Sequence, residues 1–460
     1  MSSPATVQNS RVNDIVGARN VITDPQDISV YAVDGVAPQI AARPASPQEV
    51  SELVTFAAAE NLALIPTGAR TKLSIGMPPA RYDLAIDVTR LDRIISYDPG
   101  DLTLSVEPGI PLARLAKTLA EHNQFLPLDA PCFDVTTVGG TLASGVDSPL
   151  RQAYGTARDF VLGMEFVSGE GALTKSGGRV VKNVSGYDLH KLMLGALGTL
   201  GVITRINFKT FPLPASERGF AASFASCEEA LSLRQKIAAS SISPSTLEIL
   251  NSEMSPILFS DDAASASLDS VRPSASQWLF TAGLTGSNTA LDRCSYELQR
   301  LAEQSGAKNS TLLSGTEGKT IWSQLRECIP LTLRSSPSAI ILKITALPSD
   351  LPNLFQFLAS ESERYGVRSA ALVRGTGVVY WAILPDSPEA EKERAVVRQE
   401  IFRAAERYNS RATVIACPLE LKRELSVWGP PREDFLLMQR VKRAFDPHNI
   451  FAPCRFVGGL

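Results

Sequence analysis

Gly177-Gly-Arg-Val-Val-Lys-Asn-Val-Ser-Gly-Tyr-Asp-Leu-His-Lys-Leu-Met-Leu-Gly-Ala-Leu-Gly-Thr-Leu-Gly-Val-Ile-Thr-Arg-Ile-Asn-Phe208 is the stretch from which the rest of the chain is read. Glycines recur at Gly195, Gly198 and Gly201, and the β-branched run Val202-Ile203-Thr204 follows at once. The predicted order is helix, glycine loop, strand. A Rossmann dinucleotide turn needs strand, loop, helix and a different glycine spacing. Each glycine removes a Cβ, so backbone can approach something bulky, planar or anionic. A tight turn with no ligand is the alternative.

Two further loops bear on that choice. Ser46, Pro47 and Glu49 form a helix start, with Ser46 as N-cap and Glu49 closing a capping box, and Val50, Leu53, Val54 and Ala57 fall on one face. A strand over 62–65 then leads into Pro66-Thr67-Gly68-Ala69-Arg70-Thr71-Lys72-Leu73. Such a turn can wrap an anion with backbone N–H groups. It lacks the Gly-Lys-Ser/Thr ending of a P-loop. Strands are expected over 84–88 and 102–106, a helix from Pro111, and a hairpin turn at 168–171. The third loop holds Thr136, Thr137, Gly139 and Gly140, followed by one helical turn through Ser144 and then Asp147. One ligand with a diphosphate and two ring systems accounts for all three loops.

The pattern resembles the FAD-binding domain shared by vanillyl-alcohol oxidase, p-cresol methylhydroxylase (PCMH), D-lactate dehydrogenase and alkyl-DHAP synthase, over about residues 25–215 and the tail. Within it the chain is most similar to the FAD-binding E subunit of bacterial glycolate oxidase. The carrying residues are 161–163, Gly177-Gly178, 181–188, Leu197-Gly-Thr-Leu-Gly201, 427–431 and 442–453. The resemblance implies an α+β fold: a two-subdomain PCMH-type FAD-binding domain plus an α+β cap with an antiparallel sheet. It implies that Pro66, Thr67, Gly68, Ala69, Arg70 and Thr71 cradle the pyrophosphate. Thr136, Thr137, Gly139 and Gly140 line the diphosphate and the inner edge of the flavin. Ser144 and Asp147 continue that wall. Gly198, Gly201, Val202 and Ile203 hold the adenine side, and Asn183 and Tyr187 lie beside the flavin. Family glycines are replaced at Ala69, Ser148 and Cys454, and a family asparagine at Ala452. The FAD is expected to be non-covalent, Cys132 being the one nearby residue that could carry a covalent link.

Bulk composition fits this reading. A chain of 460 residues, 44% hydrophobic and 20% charged, is long enough for two or three domains. A net charge of −3 leaves no electrostatic footprint for nucleic acid. No apolar run is long enough for a membrane span, and residues 1–10 lack a signal-like apolar core, so a cytoplasmic protein is expected, membrane-associated only through partner subunits. The six cysteines include no Cys-x-x-Cys and cannot hold an iron–sulfur cluster locally.

Four regions are expected: a lead over 1–24, the FAD-binding domain over 25–214, a cap over 215–415, and a segment over 416–460 returning to the FAD domain. The cap alternates strands with amphipathic helices, expected over 227–238, 291–304, 351–365 and 390–408. Residues 251–277, rich in Ser, Asp and Ala, read as a surface excursion or insertion. The histidines are His122, His190 and His448, so the cap contains none. The resemblance implies a histidine pair with metal-ligand character in catalytically complete relatives, and removing a proton from a substrate hydroxyl usually wants such a base. His190 reads as a surface or capping residue. The resulting expectation is an FAD-binding subunit of a glycolate oxidase/dehydrogenase complex. Its partners would be a second FAD-containing subunit, an iron–sulfur subunit and a small 2-hydroxy acid. The alternatives are a self-sufficient FAD-dependent 2-hydroxy-acid dehydrogenase of D-lactate type, with Tyr187 or an unnamed base, and a non-catalytic assembly scaffold. The catalytic residues are not identified, and no metal site is expected.

Overall fold

Two units emerge in the computed structural model, which describes residues 4–179, 186–260, 266–271, 277–385, 402 and 410–460. The first comprises Met1–Val146, Thr156–Leu213 and Pro430–Leu460; the second comprises Asp147–Gly155 and Pro214–Gly429.

The first unit contains β1 (Val21–Ile22), β2 (Ile40–Ala42), β3 (Leu64–Thr67) and β4 (Leu84–Asp87), in the order β1-β2-β4-β3. β2 and β3 both run parallel to β4. That arrangement needs a crossover, and the helix Pro47–Ala59 supplies it. Ser46 accepts a hydrogen bond from the Glu49 N–H, and Glu49 reaches back to the Ala45 N–H at 2.8 Å. Val50, Leu53, Val54 and Ala57 are fully buried, the periodic face read from the sequence. The helix Pro4–Val16 buries Val12 and Val16 in the same core, which ties this part of the lead to the first unit.

A second sheet in this unit is wholly antiparallel. It holds β5 (Ile94–Asp98), β6 (Thr103–Val106), β8 (Val161–Val167), β9 (Leu173–Gly177) and β10 (Val202–Lys209), in the order β5-β6-β10-β8-β9. β7 (Gln124–Phe125) and β11 (Phe211–Pro212) form a separate ladder. The expected hairpin is present: β8 pairs β9, and the Ser168 N–H donates to the Ala172 carbonyl. The tail also packs in this unit. Leu64 N–H donates to the Ile450 carbonyl and Ala452 N–H to the Leu64 carbonyl, each at 2.8 Å.

The second unit is built on one eight-stranded sheet, β12 (Ser216–Phe224), β13 (Thr246–Asn251), β14 (Trp278–Gly286), β15 (Asn309–Leu313), β16 (Ile340–Thr345), β17 (Arg368–Arg374), β18 (Val378–Leu384) and β19 (Arg411–Ala416), ordered β15-β12-β14-β13-β17-β18-β16-β19. Every neighbouring pair is antiparallel. The predicted helices Cys227–Ala238 and Leu351–Tyr365 are present; the one expected over 390–408 lies almost entirely outside the described residues. The supposed surface excursion after Asn251 is corrected: Met254, Leu258, Phe259, Leu268 and Val271 are buried in the core. The Ser, Asp and Ala residues that follow Phe259 dominate the composition of the stretch and hid its apolar members. The chain is therefore α+β, with an antiparallel sheet in the second unit.

Candidate functional site

Strand β3 ends at Thr67, and the chain then turns through Gly68–Leu73. The helix Val138–Ser144 starts after its N-cap Thr137, whose hydroxyl accepts from the Gly140 N–H at 3.3 Å. The short helix His190–Met193 ends in the glycine loop that feeds β10. These three loops are fastened to one another. Gly195 N–H donates to the Leu142 carbonyl at 2.9 Å, and Leu197 N–H to the Ala143 carbonyl at 2.8 Å. The hydroxyls of Thr71 and Thr136 lie 3.0 Å apart, and Lys72 Nζ donates to both. Together they line a partly open cavity.

All of Pro66, Thr67, Gly68, Ala69, Arg70, Thr71, Thr136, Thr137, Gly139, Gly140, Ser144, Gly198, Gly201, Val202 and Ile203 line this cavity. So do Lys72 and Leu73, the end of the same turn, and Met193, Leu200 and Arg455, which sequence reasoning did not single out. Thr67 Oγ1 is buried and has no hydrogen-bond partner among the described residues, a cost unless a ligand fills it. Hydroxyls and cations at Thr67, Thr71, Lys72 and Thr136 suit an anion. Apolar walls at Leu73, Met193, Leu200, Val202 and Ile203 suit a planar ring. This donor set fits a dinucleotide with a diphosphate.

The glycines serve a purpose different from the one read in the sequence. A Cβ on Gly68 would collide with the Thr137 side chain. On Gly139 it would lie 2.6 Å from Pro108 Cβ, and on Gly201 2.6 Å from the Val167 carbonyl oxygen. Gly198, at φ +72°, packs against Pro66, where a Cβ would sit 3.1 Å from Cδ. They let protein segments approach each other, and the cavity follows from that close packing. Ala69 is free of strain, since the left-handed residue of its loop is Arg70 at φ 62°. Arg70 in turn is held by Asp87 at 3.2 Å and lies over the Tyr31 ring.

Comparison with known proteins agrees with this geometry. Residues 38–177 match the FAD binding domain family, and residues 213–408 and 429–456 match the C-terminal domain of FAD linked oxidases. The chain belongs to the FAD-linked oxidases. Its cofactor is FAD, and it is an FAD-linked oxidoreductase. It is 24% identical over 420 residues to glycolate oxidase subunit GlcD of Bacillus subtilis, covering 90% of this chain and 88% of that one. It is 37% identical over 168 residues to glycolate oxidase subunit GlcE of Escherichia coli, covering 36% of this chain and 47% of that one. The solved structure of p-cresol methylhydroxylase with substrate bound superposes with a TM-score of 0.76 at 17% identity, over 99% of this chain and 97% of that one.

Two expected site residues of this FAD-linked oxidase, Tyr187 and Asp147, are absent from the cavity lining. Asn183 lies outside the described residues. Tyr187 is 88% exposed. Asp147 belongs to the second unit, where its buried carboxylate binds Arg374 at 2.6 Å and Arg151 at 3.0 Å. Proximity in sequence to Ser144 misplaced it, because the chain leaves the first unit after Val146. Cys132 does not line the cavity either. His190 is not a surface residue: it is 1% exposed, and its Nδ1 and backbone N–H both meet Ser176 Oγ at 3.1 Å. Burial lowers its pKa below the usual histidine value. Among the described residues no group of His, Cys, Asp and Glu could hold a metal, and no helix is long and apolar enough to cross a membrane.

Proposed function

We propose that this FAD-linked oxidase is an FAD-binding subunit of a glycolate oxidase/dehydrogenase-type complex that oxidises small 2-hydroxy acids to 2-oxo acids. The observation that carries it is the end-to-end likeness to a glycolate oxidase subunit. The loops Pro66–Thr71, Thr136–Gly140 and Gly198–Ile203 hold the FAD, with Lys72 and the free Thr67 hydroxyl facing its charged part. The binding is non-covalent, supported by the absence of Cys132 from the cavity lining. When bound, FAD accepts two electrons from substrate and can release them one at a time. The chain's own residues fix the cofactor and offer it apolar walls at Leu73, Met193, Leu200, Val202 and Ile203.

Dependence on partners is the finer part of the reading. Residues 215–415 contain no histidine, so the second unit lacks the residue type most often used to take the hydroxyl proton. We assign that step to a second flavoprotein subunit, and onward transfer to an iron–sulfur subunit. This is an E-type role, supported by the higher identity to GlcE, which is confined to 168 residues. The likeness to D-lactate dehydrogenase (cytochrome) of Arabidopsis thaliana, 24% identical over 434 residues and 91% of this chain, favours a second reading, a self-sufficient dehydrogenase.

Anaerobic addition of glycolate and of D-lactate to the purified yellow chain separates the two. Flavin that stays oxidised until partner subunits are added agrees with the dependent role. Bleaching of the chain alone overturns that role in favour of the self-sufficient enzyme. A colourless chain that cannot be reconstituted with FAD leaves an assembly scaffold.

A further inference from the structure

Two buried cations in the tail bond to the backbone of the cavity's loops, Lys442 from outside the lining and Arg455 from within it. Lys442 lies on the helix Phe435–Phe445 and is 4% exposed. Its Nζ donates to the Thr199 carbonyl at 2.8 Å, to the Phe451 carbonyl at 2.9 Å and to Asp446 Oδ2 at 2.6 Å. An ammonium has three protons, so these contacts use its full capacity. Thr199 sits between Gly198 and Leu200, both in the cavity wall. Asp446 also accepts from the backbone N–H groups of Ile450 and Phe451, next to the residues that bond to Leu64 in β3. Arg455 is also buried, and its Nη2 donates to the carbonyls of Leu73 and Ile75, each at 2.5 Å. The Met77 N–H returns a bond to the Arg455 carbonyl at 3.0 Å. The 66–73 loop and the 198–203 loop are therefore both gripped by a segment far away in sequence.

Burying such charges costs free energy, and apolar residues of similar volume would often be no less stable. Their carbonyl partners are loop backbone, which apolar side chains could not orient. We propose that Lys442 and Arg455 are positioning residues that set FAD affinity by fixing the two loops before the cofactor arrives. The inference rests on the reading that these loops hold FAD. Pre-organised loops lose less freedom on binding, so loosening either one weakens affinity; for Lys442, which does not line the cavity, this happens without removing a ligand contact.

The test uses the full chain stripped of FAD, with FAD titrated back and followed by flavin fluorescence. Lys442→Met and Arg455→Met are each expected to weaken FAD binding by about ten-fold or more. Hydrogen–deuterium exchange should rise around 196–203 in the first variant and around 70–77 in the second, with the second unit unchanged. A role in overall stability alone would raise exchange throughout and leave affinity intact. Arg455→Lys keeps a cation but not the forked donor, and should fall between the wild type and Arg455→Met. Thr67→Val probes the cavity itself. Folded tail variants that bind FAD within about two-fold of wild type, while Thr67→Val binds more weakly, overturn the positioning role and leave the site reading intact. Wild-type apoprotein that never takes up FAD overturns the site reading instead.

Discussion

Replacing Arg374 with methionine should destabilise the second unit in a pH-dependent way. The Arg374 guanidinium is buried between Asp147 and Glu248, at 2.6 Å from each. Glu248 stands directly opposite it in the β13–β17 ladder. Methionine fills similar space but removes the shared cation. Breaking a buried ion pair costs about 3–5 kcal/mol, because the remaining charge is stranded. Two features hold the cost at the low end here. Asp147 keeps Arg151 at 3.0 Å. Burial already raises the Glu248 pKa to about 7, outweighing the attraction of Arg374, so the stranded glutamate takes up a proton near neutrality. We expect a loss of about 3 kcal/mol near pH 8 and a smaller one near pH 5.5, where Glu248 is protonated in the wild type too. All four tryptophans, Trp278, Trp322, Trp381 and Trp428, lie in the second unit. Tryptophan fluorescence of the apoprotein during urea unfolding therefore reports on that unit. A loss below about 1 kcal/mol near pH 8, or an equal loss at both pH values, would refute the argument.

Glu248→Gln tests the same carboxyl from the other side. A folded pKa of about 7 against the ordinary 4.5 means that its contribution is fully present below about pH 4.5 and lost as pH rises through about 7, a change of about 3 kcal/mol. The glutamine variant should lack that slope, and an unchanged urea midpoint-versus-pH curve would count against it. Gly198→Ala puts a side chain at φ +72° against Pro66; we expect about 1–2 kcal/mol of destabilisation together with weaker FAD retention, and normal retention on a gel-filtration column would contradict this. Cys454 is exposed and held at φ 70°, so Cys454→Gly should raise stability by up to about 1 kcal/mol in urea titration, relief of backbone strain exceeding the extra freedom of the unfolded glycine.

Local chemistry made much of the first unit legible. Pro47 after Ser46 started a helix, alternation marked β4 and β6, and small residues clustered where three loops meet. Long-range geometry was not legible. The glycines predicted a cavity, yet Gly68, Gly139 and Gly201 are required by neighbouring protein atoms. Asp147 follows Ser144 closely in sequence but belongs to the second unit, and its partner Arg374 is more than two hundred residues away. His190 sits beside Lys191 and Asp188, which suggested exposure, but its ring is buried against Ser176. Strand β12 carries Gly219, Ala221, Ala222 and two serines in place of a β-branched run, so only its partners β14 and β15 define it. Lys442 and Arg455 lie in a tail whose motif gave no hint of the loops they hold; a Lys–Asp pair four residues apart, 442 and 446, was the one available signal.

The central claim is that the cavity between the three loops holds one FAD without a covalent bond. The most direct measurement is to denature the purified chain, separate protein from small molecules by filtration, and quantify flavin in both fractions. The account predicts one FAD for each chain, all of it in the filtrate, and a sharply reduced yield from Thr67→Val. Flavin that stays with the denatured protein, or a full complement of FAD in the Thr67→Val variant, would contradict it.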